Sequence, residues 1–142
     1  MTDEVVVEIA LQADVLRCGT AARQVAARVG FERKRQQELA IIVQELASNI
    51  LKFAGTGIVR IREIARPRAG IEVQAEDQGP GIEDVEAALR DGHTEGRDRL
   101  SRPRHSRPSL GVGLGAVQRL ADDLSITSPP GEGTLVVVRC FL

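Results

Sequence analysis

The sequence predicts an α+β fold, a two-layer sandwich in which helices cover one face of a mixed, mostly antiparallel sheet. Residues 58–64 and 70–77 alternate apolar and polar side chains, and this period of two is typical of half-buried strands. Residues 33–54 instead follow the 3.6-residue period of an amphipathic helix. The element order β-α-α-β-β-α-α-β-β therefore indicates one sheet with its helices on one side.

Each element has its own local signal. Residues 5–11 are rich in β-branched side chains and predict the first strand. Asp14 is a candidate cap of the following helix, and Gly30 is the residue at which that helix is expected to stop. Pro67 and Gly70 mark a turn between two strands. The predicted elements are strand 5–11, helices 14–29 and 33–54, strands 58–64 and 70–77, a short helix 85–92, a loop 93–110, a helix 112–124, and strands 124–128 and 134–142 around the turn 129–133.

Composition narrows the function classes. The 142 residues fit a single domain spanning 1–142, and the net charge of −1 gives no reason to expect a nucleic-acid or membrane partner. With no Trp or Tyr and only three Phe, base-stacking platforms are not expected. The acidic, alternating N-terminus does not look like a signal peptide, and Cys18 and Cys140 have no metal-site spacing. We expect a cytoplasmic protein whose cysteines are reduced packing residues.

Three polar residues stand out in the helix 33–54. Glu45, Asn49 and Lys52 fall within about 60° of one another on a helical wheel, at the edge of the apolar stripe. A surface Glu–Lys pair with an Asn neighbour is one interpretation. The other is functional, because carboxylate and amide oxygens one turn apart can hold a hard cation such as Mg²⁺. The stripe itself consists of Leu39, Ile42, Val43, Leu46, Ile50 and Phe53.

Three glycine-containing motifs follow this helix. Glycine allows backbone to approach a flat ligand closely, and glycines before a helix N-terminus leave N–H groups free for phosphate. Each motif alone is also compatible with an ordinary turn. The Walker pattern is absent, and a dinucleotide fingerprint fails because position 116 is Ala and no βαβ unit follows. The motifs are Asp77, Gly79 and Gly81 in EDQGPGIED; Gly111, Gly113 and Gly115 in SLGVGLGAVQRL; and Gly133 and Thr134 in GEGT.

Taken in order, ELASNILKFA, EDQGPGI, LGVGLGAVQRLADDLSI and GEGTLVVV resemble the four boxes of the GHKL ATP-binding (Bergerat) fold. The resemblance covers about residues 5–140. Within that superfamily the chain is most similar to the RsbT-type serine/threonine switch kinases of bacterial partner-switching pathways, through NILKFAG, EDQGPGIEDVEAALRDGHT and RLADDLSITSPPGEGT.

The resemblance implies roles for the singled-out residues, with ATP and Mg²⁺ as cofactors. Asn49 would ligate Mg²⁺, Glu45 would act as base or positioner for the substrate hydroxyl, and Lys52 would contact or orient phosphate. Asp77 would accept a hydrogen bond from the adenine amino group, supported by Thr134. The backbone at Gly79 and Gly81 would meet the base, and the phosphates would be cradled by Gly111, Val112, Gly113, Leu114 and Gly115.

The resemblance also implies that residues from about 92 to 110 form an ATP lid. This segment is longer and richer in arginine than in the usual RsbT-type proteins. Arg107 is the preferred phosphate contact because it lies closest to the glycine run, and Arg104 is nearly as good. A solvated, charged loop is the alternative interpretation.

The expected function is phosphorylation of a Ser or Thr on a STAS-domain antagonist, followed by a switch to a second partner. That partner is expected to be a PP2C-type phosphatase or a sigma factor, and a homodimer is left open. The alternative is an anti-sigma factor or allosteric binding module whose nucleotide tunes partner affinity. A simple ATP hydrolase is disfavoured, because no transducer element is evident.

Overall fold

The computed structural model describes residues 4–79, 110–128 and 131–142. Within them, five strands form one sheet in the order β1-β2-β3-β5-β4, and every neighbouring pair is antiparallel. This arrangement confirms the predicted α+β sandwich. The elements are β1 Glu4–Ile9, α1 Gln12–Val29, α2 Arg33–Phe53, β2 Gly57–Ile64, β3 Gly70–Asp77, α3 Leu110–Leu120, β4 Asp123–Thr127 and β5 Thr134–Phe141.

Helix α1 begins two residues earlier than predicted. Asp14 does cap it, but from inside the first turn, where its Oδ2 accepts the N–H groups of Ala10 and Leu11 at 2.8 Å each. The predicted stop is confirmed: Gly30 is left-handed, with φ 115°, and its N–H donates to the carbonyl of Ala26.

The core lies between the helices and one face of the sheet. The apolar stripe of α2 is buried as predicted, apart from Phe53 at its end, which is half-buried. Alternate residues of the central strands, such as Val73 and Val138, meet it from the sheet. Cys18 and Cys140 are free and buried, and burial raises the pKa of each thiol to about 11. No helix of the described ranges is long and apolar enough to cross a membrane.

The opposite face of the sheet carries a row of alternating charges. In register across the strands, this row is Glu4, Arg62, Glu72, Arg139 and Asp123. Glu72 is only 2% exposed and accepts hydrogen bonds from Arg62 and Arg139 and from a neighbour on its own strand, Gln74. Burial by itself raises the pKa of Glu72, but these hydrogen bonds outweigh it and hold the pKa below its usual range.

Candidate functional site

Helix α2 carries the predicted polar trio on the flank of its buried stripe. Glu45 and Asn49 are half-buried and Lys52 is exposed, so the three follow a gradient from the core towards solvent. They stay on one side of the helix because they are spaced three and four residues apart. A half-buried Glu and Asn one turn apart therefore face the same region.

Asn49 is the polar residue whose surroundings point most directly to a ligand. Its Nδ2 is buried and has no hydrogen-bond partner within the described ranges. Buried side-chain amides are nearly always paired, because an unpaired one costs about 1–3 kcal/mol. An amide side chain also supplies an oxygen of the kind that Mg²⁺ prefers. The environment of Asn49 thus fits a residue whose amide completes its contacts with a bound group.

Asp77 ends β3, the central strand of the sheet. Its Oδ1 accepts the backbone N–H of Gly79 at 2.8 Å, and the backbone N–H of Thr134, its register partner on β5, donates to the same carboxyl group. Burial raises the pKa of Asp77 above its ordinary value, with Glu76 adding to the rise, although the two backbone N–H groups oppose it. The structure therefore holds a partly desolvated acceptor in a fixed direction.

The turn after β3 runs against the C-terminal end of α2. A Cβ added to Gly79 would lie 2.8 Å from the Cβ of Ala54 and 3.0 Å from the carbonyl oxygen of Phe53. The position therefore excludes a side chain. Asn49 lies one turn before Phe53 on the same helix, so the fold brings the Asp77–Gly79 turn and the polar trio to the same end of α2.

The GEGT motif meets Asp77 from the other side. Gly133 has φ +87°, and a Cβ there would lie 2.3 Å from the carbonyl oxygen of Asp77. Thr134 Oγ1 lies 2.8 Å from the hydroxyl of Ser128. A cavity of about 440 Å³ opens at the same ends of β1, β2 and β3, and Asp77 is part of its wall. Side chains of the described residues thus leave the sheet end beside Asp77 unfilled.

The glycine-rich segment is helical rather than a loop ahead of a helix. Helix α3 begins at Leu110, so Gly111, Gly113 and Gly115 lie inside its first two turns. Leu114 and Val117 are buried in the core, and α3 packs against α2. Core packing thus outweighs the poor helix propensity of the glycines. The first N–H groups of a helix have no partner within the helix itself, so the N-terminus of α3 retains donors of the kind that the phosphate hypothesis requires.

Other predicted site residues lie outside the described residues. These are Gly81, Arg107 with its alternative Arg104, and the predicted lid up to residue 109. Val112 lies within α3. The described part of the candidate site therefore consists of Asp77, Gly79 and Thr134, which contact one another or the C-terminal end of α2, together with Glu45 and Asn49 on that helix.

The structure shows contacts of two residues, Ser128 and Arg35, to which the sequence analysis assigns no role. Ser128 lies in the segment before the GEGT motif, and its hydroxyl forms a hydrogen bond with the Thr134 hydroxyl. Arg35 lies in the first turn of α2, and its guanidinium donates to the carbonyl oxygen of Leu120 at the end of α3. The sole hint for Arg35 is a positive charge in the first turn of a helix, where positive charge is unfavourable.

The amino-acid sequence of the chain is similar to those of known proteins. A family model described as "Histidine kinase-like ATPase domain" matches residues 10–140. The serine/threonine-protein kinase RsbT of Bacillus subtilis is 36% identical over 135 residues, which cover 94% of this chain and 93% of that protein. An anti-sigma F factor of Caldanaerobacter subterraneus is 38% identical over 108 residues, covering 74% of this chain and 69% of the relative.

Comparison of structures agrees on the fold. A chain in the crystal structure of the SiaB–SiaC complex from Pseudomonas aeruginosa superposes with a TM-score of 0.60 over 96% of this chain and 88% of that chain. The identity is 13%, so the match supports the architecture alone. Since the family model matches residues 10–140, almost the whole chain, the chain belongs to the histidine kinase-like ATPase domain family.

Proposed function

We propose that this protein is an ATP-dependent serine/threonine protein kinase of a bacterial partner-switching pathway. Membership of an ATPase domain family and the 36% identity to RsbT along nearly the full length of both chains support the proposal. The observation that carries it is the meeting of the Asp77–Gly79 turn, the start of β5 and the C-terminal end of α2.

Adenine recognition is assigned to Asp77. A carboxylate acceptor held by the N–H groups of Gly79 and Thr134 suits the amino group of adenine. Gly79 lets the turn after Asp77 pack directly against Phe53 and Ala54 of α2, and the Ser128 hydroxyl forms a hydrogen bond with the Thr134 hydroxyl. The site thereby fixes the purine end of the nucleotide with rigid sheet elements.

Phosphate binding is assigned to the N-terminal turns of α3 and to Asn49. Free N–H groups and the positive end of the helix dipole favour phosphate at that end of α3. Asn49 would be the protein ligand of Mg²⁺ through its amide oxygen, and its Nδ2, which has no partner within the described ranges, would be left to donate to the bound nucleotide. When bound, Mg²⁺ neutralises phosphate charge and orients the terminal phosphate.

Glu45 is assigned as the group that accepts the substrate proton. In the transfer, the oxygen of a Ser or Thr hydroxyl bonds to the terminal phosphorus and the bond from that phosphorus to the leaving ADP oxygen breaks. The hydroxyl proton passes to the Glu45 carboxylate. Lys52, exposed one turn beyond Asn49, is suited to orienting phosphate rather than to proton transfer. Positioning and charge stabilisation supply most of the catalysis in such reactions.

The finer assignments concern partners. We propose a STAS-domain protein as the substrate and a PP2C-type phosphatase or sigma factor as the second partner, with the protein acting in the cytoplasm. The name of the SiaB–SiaC complex shows that a structural neighbour assembles with another protein.

Phosphate transfer from labelled ATP to a candidate STAS-domain protein tests the kinase proposal. The Glu45→Gln variant should keep its ATP affinity while transfer falls by about 100-fold or more. Glu63→Gln is the matched control, because Glu63 is exposed on β2, and it should transfer normally. Equal transfer by Glu45→Gln and wild type would remove the base assignment.

A second candidate function is a nucleotide-tuned binding module. The anti-sigma F factors among the relatives favour it, since at 38% identity they are as similar per residue as RsbT. The same assay separates the two. A binding module would change its partner affinity with nucleotide but leave the partner unlabelled.

A further inference from the structure

Arg35 occupies a position where its charge is locally unfavourable. It belongs to a run of three basic residues, Arg33 to Arg35, that opens α2, and the first turn holds no acidic residue. Positive charge at a helix N-terminus opposes the helix dipole. Yet the Arg35 side chain is only 19% exposed, so it is held in place by something other than its own helix.

The partner of Arg35 is the far end of α3. One guanidinium nitrogen donates to the carbonyl oxygen of Leu120, the last residue of α3, at 2.6 Å. The same nitrogen donates to Glu38 at 2.9 Å, and the other terminal nitrogen donates to Asp122 at 3.0 Å. A cation that bonds the last carbonyls of a helix satisfies an unpaired acceptor and the negative end of the dipole.

Asp122 extends this contact to the sheet. Its Oδ2 also accepts the backbone N–H of Phe141 at 2.7 Å, and its own N–H donates to the carbonyl of Arg139 at 3.0 Å. Arg35 and Asp122 together therefore join the start of α2, the end of α3 and the last residues of β5. Buried Leu114 and Val117 hold the body of α3, and this pair holds its C-terminus.

We propose that Arg35, acting with Asp122, is a positioning residue for phosphate binding. The inference rests on the proposed function, in which the N-terminal turns of α3 receive the phosphates. Helix α3 has 11 residues, hence a length of about 16 Å, so a change of tilt at Leu120 displaces its N-terminus. The adenine end of the site depends instead on the opposite end of the β3–β5 ladder, where Asp77 pairs with Thr134, whereas Asp122 contacts Arg139 and Phe141 near the other end of β5.

This separation makes the inference testable by comparing two ligands. Affinities for Mg·ATP and for adenosine are measured by calorimetry and by NMR titration on wild type, Arg35→Gln, Arg35→Lys and Arg33→Gln. Arg35→Gln should weaken Mg·ATP binding by about tenfold and change adenosine binding less than about twofold. Arg35→Lys should recover most of the loss, and Arg33→Gln, an exposed control in the same turn, should match wild type.

The outcomes distinguish this inference from the proposed function. A wild-type protein that binds no Mg·ATP would remove the proposed function and this inference with it. Normal wild-type binding with an unchanged Arg35→Gln affinity would overturn the inference alone, as would equal losses for Mg·ATP and adenosine. If Arg35→Gln does not fold, Asp122→Asn replaces it, because that variant keeps an oxygen for the N–H of Phe141 while losing the charge that pairs with Arg35.

Discussion

The carboxylate of Asp77 accepts a 2.8 Å hydrogen bond from the backbone N–H of Gly79, two residues further along the chain. This contact folds the end of β3 back towards α2, where Gly79 meets Phe53 and Ala54. The same side chain thus shapes the turn and presents the acceptor that is proposed for adenine.

Asp77→Asn should lose ATP affinity and alter the pH dependence of stability. Burial raises the folded-state pKa of Asp77, so its contribution to stability is present below the unfolded-state pKa and is lost as pH rises through the folded-state pKa. The unfolding free energy of wild type relative to Asp77→Asn should therefore be greater near about pH 3.5 than near about pH 7. Urea unfolding at both pH values measures this, and a difference of the opposite sign would contradict the pKa direction.

Gly133→Ala and Gly131→Ala form a matched pair. Both glycines have positive φ, +87° and +78°, but a Cβ at Gly131 meets nothing within 4 Å. Gly131→Ala should cost only the strain of the left-handed conformation, about 1 kcal/mol. Gly133→Ala adds a clash with the Asp77 carbonyl and should cost about 3 kcal/mol, with a loss of ATP affinity. If urea unfolding shows equal destabilisation of the two variants, the contact between residue 133 and the Asp77 carbonyl does not contribute to the free energy of unfolding.

Asn49→Ala should separate stability from ligand binding. Its Nδ2 is buried and finds no partner among the described residues, so truncation should leave the unfolding free energy within about 1 kcal/mol of wild type or raise it. Mg·ATP affinity should fall by about tenfold, and the difference from wild type should vanish in EDTA. The neighbouring Ser48→Ala is the control. An EDTA-independent loss would argue against the metal assignment.

Glu72→Gln should destabilise the sheet without touching the site. Arg62 and Arg139 would lose the charge that they share, at a cost of about 2 kcal/mol. Because the pKa of Glu72 is lowered in the fold, its contribution is present above the unfolded-state pKa and lost as pH falls through the folded-state pKa. The destabilisation should therefore be larger at neutral than at acidic pH, with ATP affinity unchanged. Exposed Glu63→Gln serves as the reference, expected within about 0.5 kcal/mol of wild type.

The strands were predictable because their signal is local. The predicted strand 70–77 matches β3, and 58–64 differs from β2 by one residue, since alternation of side chains reports directly on a two-faced sheet. Helix α3 was predicted as 112–124 and is Leu110–Leu120. The predicted start of α3 is two residues too late, because the low helix propensity of glycine argued against a helix at Gly111. Its end is set by Asp122, whose bonds to Arg139 and Phe141 come from residues distant in the sequence.

In the candidate site, too, features with a local sequence signal were predictable and features set by tertiary contacts were not. Helical spacing predicts that Glu45, Asn49 and Lys52 share one side of α2, whereas the role proposed for Asp77 rests on the resemblance of the ordered motifs to the GHKL family. The contact of Arg35 with Leu120 spans 85 residues, so no local pattern predicts it. The exposure of Lys52, and the lack of a partner for the Asn49 Nδ2 in the part of the chain that the structure describes, likewise depend on tertiary packing and not on local sequence.

Strand β3 pairs along its full length with β2 on one side and β5 on the other. Opening such a strand requires two ladders to break together, so its amide hydrogens should be among the slowest in the chain to exchange with deuterated water. Asp77 terminates this strand. The proposed purine contact is therefore attached to a strand that two ladders hold in place, and we expect local opening near the nucleotide to occur on the side of the helices.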